Sequence, residues 1–204
     1  MVGLVSLKRI TVGQLMTNCF IISSAKECAI VDPGGNSKLI INYIEESGVI
    51  PKFITATHGH FDHVISVDEL RNYFGIEFII NSKEVPIMKK SEKLITEFIP
   101  GAQFNAPVPD QTFLSTKTFS LGEIEINSLE FPGHTPGSTI FSFDSNLLTG
   151  DTLFSGGIGR IDVDGSETDM VESLKKLWNI GEGFKVYPGH GEATTIRREK
   201  MVNT

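Results

Sequence analysis

The placement of five histidines is what most restricts how this chain can fold. His58, His60 and His63 lie within six residues, in Thr57-His58-Gly59-His60-Phe61-Asp62-His63. His134 sits in Pro132-Gly133-His134-Thr135-Pro136-Gly137 and His190 in Pro188-Gly189-His190-Gly191. Each site follows a strand-like apolar segment and is flanked by glycine or proline, so the histidines belong to loops carried by a scaffold of strands. No histidine is left for an ordinary core or surface role. The fold must bring three distant strand ends to one place.

The spacing has a mechanical reading. In extended backbone, residues i and i+2 point the same way, so His58 and His60 can reach one ion together, with Gly59 giving room between them. A helix starting near Asp62 turns the chain and sends Asp62 and His63 toward a second ion. His134 and His190 arrive as the remaining imidazole ligands. Asp151, in Leu148-Thr149-Gly150-Asp151, ends a strand, and its two oxygens can bridge two cations. Neutral imidazoles and carboxylates suit zinc first, with iron or manganese also acceptable. Three imidazoles per ion would need a sixth histidine. The second site therefore takes His63, His190 and Asp62, with Asp151 shared, and a bridging water completes both shells.

The rest of the sequence sets the frame. A length of 204 residues, with 40% hydrophobic residues, implies one domain over 1–204. Eighteen basic against 25 acidic residues give a net charge of −7, which argues against nucleic-acid binding. No apolar run approaches a membrane span, and Met1–Ile10 has no sustained apolar stretch of the signal-peptide kind. The two cysteines, Cys19 and Cys28, lie in strand-like runs outside any CxxC pair and read as buried thiols of a cytoplasmic protein.

Strands are expected at Leu4–Val12, Cys19–Ser23, Cys28–Val31, Phe53–Thr57 and Glu77–Ile80. Alternation over Thr112–Leu129 predicts more strand, Thr139–Phe143 and Asn146–Leu148 form a hairpin, and Phe184–Tyr187 is the last strand. A helix capped by Asn36 or Ser37 ends at Gly48, a second covers Val64–Phe74, and a third starts at the box Ser166-Glu167-Thr168-Asp169. Residues 82–111 read as a short helix followed by a loop. Together these give a mixed α/β domain.

With these motifs in hand, the sequence resembles the metallo-β-lactamase superfamily. Asp32-Pro33-Gly34, the His58–His63 loop, the His134 block, Gly150-Asp151-Thr152-Leu153-Phe154 and the His190 block match its signature segments in order. The resemblance implies a four-layer αββα sandwich with the metal centre at one edge between two sheets, and an outer-shell role for Asp32. The details look most like the glyoxalase II branch. His63 and Asp151 separate the chain from the zinc β-lactamases, which use a cysteine at the second site. His60 separates it from the flavo-diiron proteins, which place a glutamate there. Gly156-Gly157-Ile158-Gly159-Arg160-Ile161-Asp162 resembles the loop carrying a basic residue for the thiol's carboxylate, which makes Arg160 the substrate-binding candidate. Only 14 residues follow His190, so the helical glutathione-binding domain of that branch is not expected.

The implied activity is thioester hydrolysis of a small-molecule substrate. Two divalent ions share a hydroxide that attacks the carbonyl, and Asp62 orients it. Similar motifs occur in persulfide dioxygenases, where one iron would take His58, His134 and Asp151, and lactone hydrolysis uses the same chemistry. The oligomeric state is left open.

Overall fold

A computed structural model describes residues 5–203. Leu4, where the sequence places the start of the first strand, lies outside them. The strands are β1 (Val5–Val12), β2 (Thr17–Ser24), β3 (Glu27–Val31), β4 (Ile50–Thr55), β5 (Glu77–Asn81), β6 (Gln111–Phe113), β7 (Thr118–Leu121), β8 (Ile124–Glu130), β9 (Thr139–Phe143), β10 (Asn146–Gly150), β11 (Lys185–Pro188) and β12 (Thr194–Thr195). The helices are α1 (Ser37–Ser47), α2 (Phe61–Val64), α3 (Val67–Phe74), α4 (Val85–Phe98), α5 (Glu167–Leu177) and α6 (Ile196–Val202), with a 3₁₀ turn over Ser82–Glu84. Strands β1 to β6 form one sheet in sequence order, and β7 to β12 form the second in sequence order.

Period-2 alternation builds the layers. In β2, Phe20 and Ile22 face the second sheet, where they meet Phe119, Leu121, Ile126, Phe141 and Phe143. The residues between them, Cys19 and Ile21, face the other way and pack with Ile40 and Ile44 of α1, Val67 and Leu70 of α3, and Met88 and Ile95 of α4. Every residue of β2 is buried, as a strand covered on both faces requires. Across the second sheet, Ile140, Leu147 and Val186 pack against Leu177 of α5 and Ile196 of α6. The result is the expected four-layer αββα sandwich. Both cysteines are buried in the helix-facing core, and burial pushes the Cys28 thiol up to about 12.

Several local expectations need correction. Asn36 precedes α1 in a left-handed conformation without capping it; its Oδ1 accepts instead from the Gly13 N–H at 2.7 Å. Gly48 does close the helix, with φ 68° and its N–H bonded to the Ile44 and Glu45 carbonyls. The single helix expected over Val64–Phe74 is two pieces, α2 and α3, with Leu70 buried and Arg71 turned outward to Asp68 and Asp110. The helix expected to be short is α4, 14 residues long, with Pro86 tolerated in its first turn. The alternating run from Thr112 is split between sheets: Phe113 belongs to β6 beside β5, and Phe119 to β7 beside β8. The hairpin turns at Asp144 (φ 47°), and Ser166 Oγ caps α5 by accepting from the Asp169 N–H at 3.2 Å.

The topology gathers the loops. Strands β3 and β4 run parallel, as do β10 and β11, while β8 and β10 flank the antiparallel β9 and so share a direction. Strands β3, β4, β8, β10 and β11 deliver their C-terminal ends to one edge of the sandwich, where β9 begins. There the two sheets are joined by backbone bonds: Asn18 N–H to the Gly189 carbonyl at 2.7 Å and Thr139 N–H to the Thr57 carbonyl at 2.9 Å. Among the described residues no helix is long and apolar enough to cross a membrane. Phe141 lies fully buried between the sheets, and truncation to alanine should cost about 3–5 kcal/mol of stability, measured by denaturant unfolding.

Candidate metal centre

The seven residues singled out as ligands meet at this edge. His134 Nε2 lies 3.2 Å from His58 Nε2 and 3.0 Å from His60 Nδ1. A second group holds Asp62, His63 and His190, with Asp62 Oδ2 at 3.3 Å from His190 Nε2 and 3.7 Å from His63 Nε2. Asp151 stands between the groups. Its Oδ1 is 3.5 Å from His63 Nε2, and its Oδ2 is 3.8 Å from His134 Nε2 and 3.6 Å from His190 Nε2.

The outer nitrogens decide which electron pairs point inward. His134 Nδ1 lies 2.7 Å from the Arg160 carbonyl and His190 Nδ1 3.0 Å from the Leu15 carbonyl. A carbonyl only accepts, so both rings carry hydrogen on Nδ1 and leave Nε2 bare. His63 Nδ1 is 3.1 Å from Asp32 Oδ2. The Thr57 hydroxyl donates to Asp32 at 2.8 Å, so it must accept from His58 Nδ1, which is 3.1 Å away. His60 is reversed: Nε2 faces Asp164 Oδ2 at 3.3 Å, and Nδ1 points inward. His58, His60, His134 and His190 are therefore each held in a fixed tautomer with the free pair toward the others, and His63 faces Asp32, an arrangement of outer partners typical of metal-ligating histidines.

Divalent ions fit these groups. Around a tetrahedral zinc with bonds of about 2.0–2.1 Å, ligand nitrogens stand about 3.3–3.4 Å apart. The His58, His60 and His134 nitrogens are close to that, yet have no proton to share among them. Both ring nitrogens of His63 and Asp151 Oδ1 are buried without a hydrogen-bond partner. Burial and the neighbouring imidazoles hold His58 well below the usual histidine range, and burial lowers His134, so both rings are neutral donors. Burial opposes a charge on His63, but Asp32, Asp62 and Asp151 outweigh it and lift the ring to about 10. Three carboxylates around one buried ring call for positive charge, which a cation supplies. Asp62 is also buried, but His63 and His190 keep it ionised, well below the usual carboxylate range.

Glycines make the close approach possible. A Cβ at Gly189 would lie 2.3 Å from Asp151 Oδ1 and 2.7 Å from His63 Cε1, inside the ligand cluster. At Gly59 it would strike the Glu84 carbonyl at 2.7 Å; this glycine has no positive φ, so room rather than backbone freedom is what it provides.

Two outer residues carried no motif. Asp164 is nearly buried and receives both His60 and Lys90; the His60 hydrogen bond, with help from Lys90, holds it down at about 2 despite desolvation. Glu84, fully buried, accepts from the Gly59 N–H and the Gly137 N–H, each at 2.6 Å, and so ties the His58–His60 loop to the His134 loop. Asp32 lies under the centre, accepting also from the Thr57 N–H at 2.6 Å. Arg160 is at the rim. Its carbonyl orients His134, while its guanidinium forms a bidentate pair with Asp162, both bonds at 2.7 Å.

Asp164→Ala should weaken metal affinity about 10–100-fold in a competition titration against a chelator. Glu84→Gln must turn an amide donor toward one of two backbone donors, and should lower unfolding stability by about 1–3 kcal/mol.

Residues 12–190 match the family model of the metallo-beta-lactamase superfamily. Hydroxyacylglutathione hydrolase GloC of Haemophilus influenzae is 35% identical over 207 residues, covering 95% of this chain and 94% of that protein. Among solved structures, the BLEG-1 B3 metallo-beta-lactamase superposes with a TM-score of 0.88 at 30% identity, covering 96% of this chain and 97% of that one. TTHA1623 in a di-iron-bound form superposes with a TM-score of 0.85 at 26% identity, covering 96% and 98%.

Proposed function

The chain belongs to the metallo-beta-lactamase superfamily, and from that premise and the ligand geometry we propose that it is a two-ion hydrolase of small-molecule thioesters. The observation that carries the reading is the carboxylate of Asp151, which lies within 4 Å of imidazoles of both groups, Oδ2 beside His134 and His190 and Oδ1 beside His63. A centre for one ion would need only half of these ligands and would leave Asp62, His63 and His190 without a task. The di-iron form of one structural neighbour and the glutathione-thioester activity in the name of one relative support the same reading.

His58, His60 and His134 would hold one ion; Asp62, His63 and His190 would hold the second, with Asp151 between them. Two such ions supply a water acidified to near-neutral pKa and a Lewis acid for the substrate carbonyl. The protein's own groups set the geometry. Asp62 lines the cavity over the centre and is fixed by the Thr17 hydroxyl, 3.2 Å from Oδ2. Being ionised, it can accept a hydrogen bond from the attacking water and orient it. The cavity's apolar walls limit competing water around the reacting carbonyl. A thiolate leaves without strong protonation, so thioester cleavage asks less of a general acid than amide cleavage does. The chain's surplus of acidic residues and its small cavity fit a small-molecule partner rather than a nucleic acid.

Exhaustive chelation should abolish thioester hydrolysis, and zinc, iron or manganese should restore it with two ions per chain by elemental analysis. Asp62→Asn should lower kcat by about 10²–10⁴-fold. One iron per chain, with oxygen consumed on a persulfide and no thioester cleaved, would overturn the reading.

A further inference from the structure

The cavity over the metal centre encloses about 310 Å³. Apart from the candidate ligands and Arg160, its wall is apolar: Leu15, Phe61, Leu94, Phe98, Phe154 and Val163. Phe98 remains 41% exposed although it sits on α4 beside a core, and Ile158 on the Arg160 loop is 40% exposed. Large apolar side chains kept open to solvent around a cavity of this size mark a surface that an apolar ligand covers. A second cavity of about 350 Å³ shares Leu15, Phe61 and Asp62 with the first and continues along Ile65, Ile95, Ile99 and Ala102, with the neutral polar Gln14 and Asn36 also on its wall. Neither wall contains lysine, and the one arginine is Arg160.

That arginine is committed. Both arms of its guanidinium bond Asp162, and its plane lies 5.8 Å from the Phe98 ring centre. Lys90, beside the cavity, is bound to Asp164 and to the Val163 carbonyl. A substrate carboxylate arriving here would compete with Asp162 or Asp164 for its cation, and it would meet their negative charge.

We propose that the site takes thioesters whose acyl half is an apolar aliphatic or aryl group and whose thiol half is uncharged. The acyl group fills the space among Leu94, Phe98, Phe154 and Val163, and the thiol arm follows the second cavity past Leu15. The inference rests on the thioester reading and narrows it, because a hydroxyacyl group would meet apolar side chains in the first cavity, and carboxylates on the thiol would find no free cation on either wall, where the polar side chains Gln14 and Asn36 are neutral.

The test uses the two-ion enzyme with acetyl, butyryl and hexanoyl thioesters of N-acetylcysteamine, beside hexanoylglutathione. The value of kcat/KM should rise about fourfold per added methylene until the cavity is filled. Phe98→Ala and Leu94→Ala should lose more on the hexanoyl than on the acetyl substrate. Hexanoylglutathione should be hydrolysed no faster than hexanoyl-N-acetylcysteamine. A flat or falling series, or a tenfold preference for the glutathione thioester, overturns the proposal. Calorimetry on the metal-free protein gives a readout independent of turnover: S-hexyl-N-acetylcysteamine should bind at least tenfold more tightly than the S-ethyl thioether, and equal binding overturns the proposal. Failure of the loaded enzyme to cleave any of these thioesters, with the thioethers still discriminated by length, would sink the hydrolase reading and leave the apolar cavity standing.

Discussion

Electron pairs from five imidazoles and two carboxylates are forced into one small space, and this crowding governs the molecule. His134 Nε2 stands 3.0–3.2 Å from the inner nitrogens of His58 and His60 with no proton to share, and His63 is enclosed by three acids. Left alone, such an arrangement is costly, since buried polar groups without partners lose their water and gain nothing. It persists because the outer atom of each ring faces a rigid group: Thr57, Asp164 and the carbonyls of Arg160 and Leu15 by hydrogen bonds, and Asp32 opposite His63 as an ion pair. The hydrogen bonds fix a tautomer as well as a direction, so the orientation of the rings is set by the protein's own groups.

The rigidity comes in turn from the sandwich. Parallel pairing of β3 with β4 and of β10 with β11 aligns the strand ends, and the inter-sheet bonds at Asn18 and Thr139 hold the two halves in register at that edge. Buried carboxylates extend the same logic. Glu84 joins two ligand loops through backbone N–H groups, and Glu199 on α6 accepts from the Gly156 N–H at 2.7 Å, tying the last helix to the loop that follows Asp151. Burial raises the Glu84 carboxyl, so its ionised form depends on those N–H donors. The same contacts thus support fold and site together.

How much of this could be read from the sequence follows from range. The candidate ligands that converge here were legible because glycine and proline punctuate each histidine and because His-x-His-x-Asp-His has a meaning at short spacing. The alternation in β2 and the turn at Asp144 were legible for the same local reason. What was not legible is what depends on tertiary partners. Asn36 looks like a helix cap, but Gly13 claims its side chain from across the fold. Phe113 and Phe119 look like one alternating strand, but the chain changes sheets between them. Asp164 lies 104 residues from His60, in a loop with no pattern, and Glu84 resembles any charged residue at a helix start. A buried acid is conspicuous only once its burial is known.

Specificity is separable from chemistry in this architecture. The reacting groups come from strand ends, whereas the walls of the cavity come from α4 and from the loops at Leu15 and at Phe154–Val163. Substitutions in α4 can therefore reshape what the site admits without touching a ligand. The ion pair of Arg160 with Asp162 lies on the exposed rim, where such pairs contribute little to stability. On the proposed reading its effect is on recognition: it pairs the wall's one cation and lays the guanidinium beside Phe98, which would leave a rim favouring apolar groups over anionic ones. On that same reading, losing Asp162 would free the cation, so a single surface carboxylate would bear on which thiols the centre accepts.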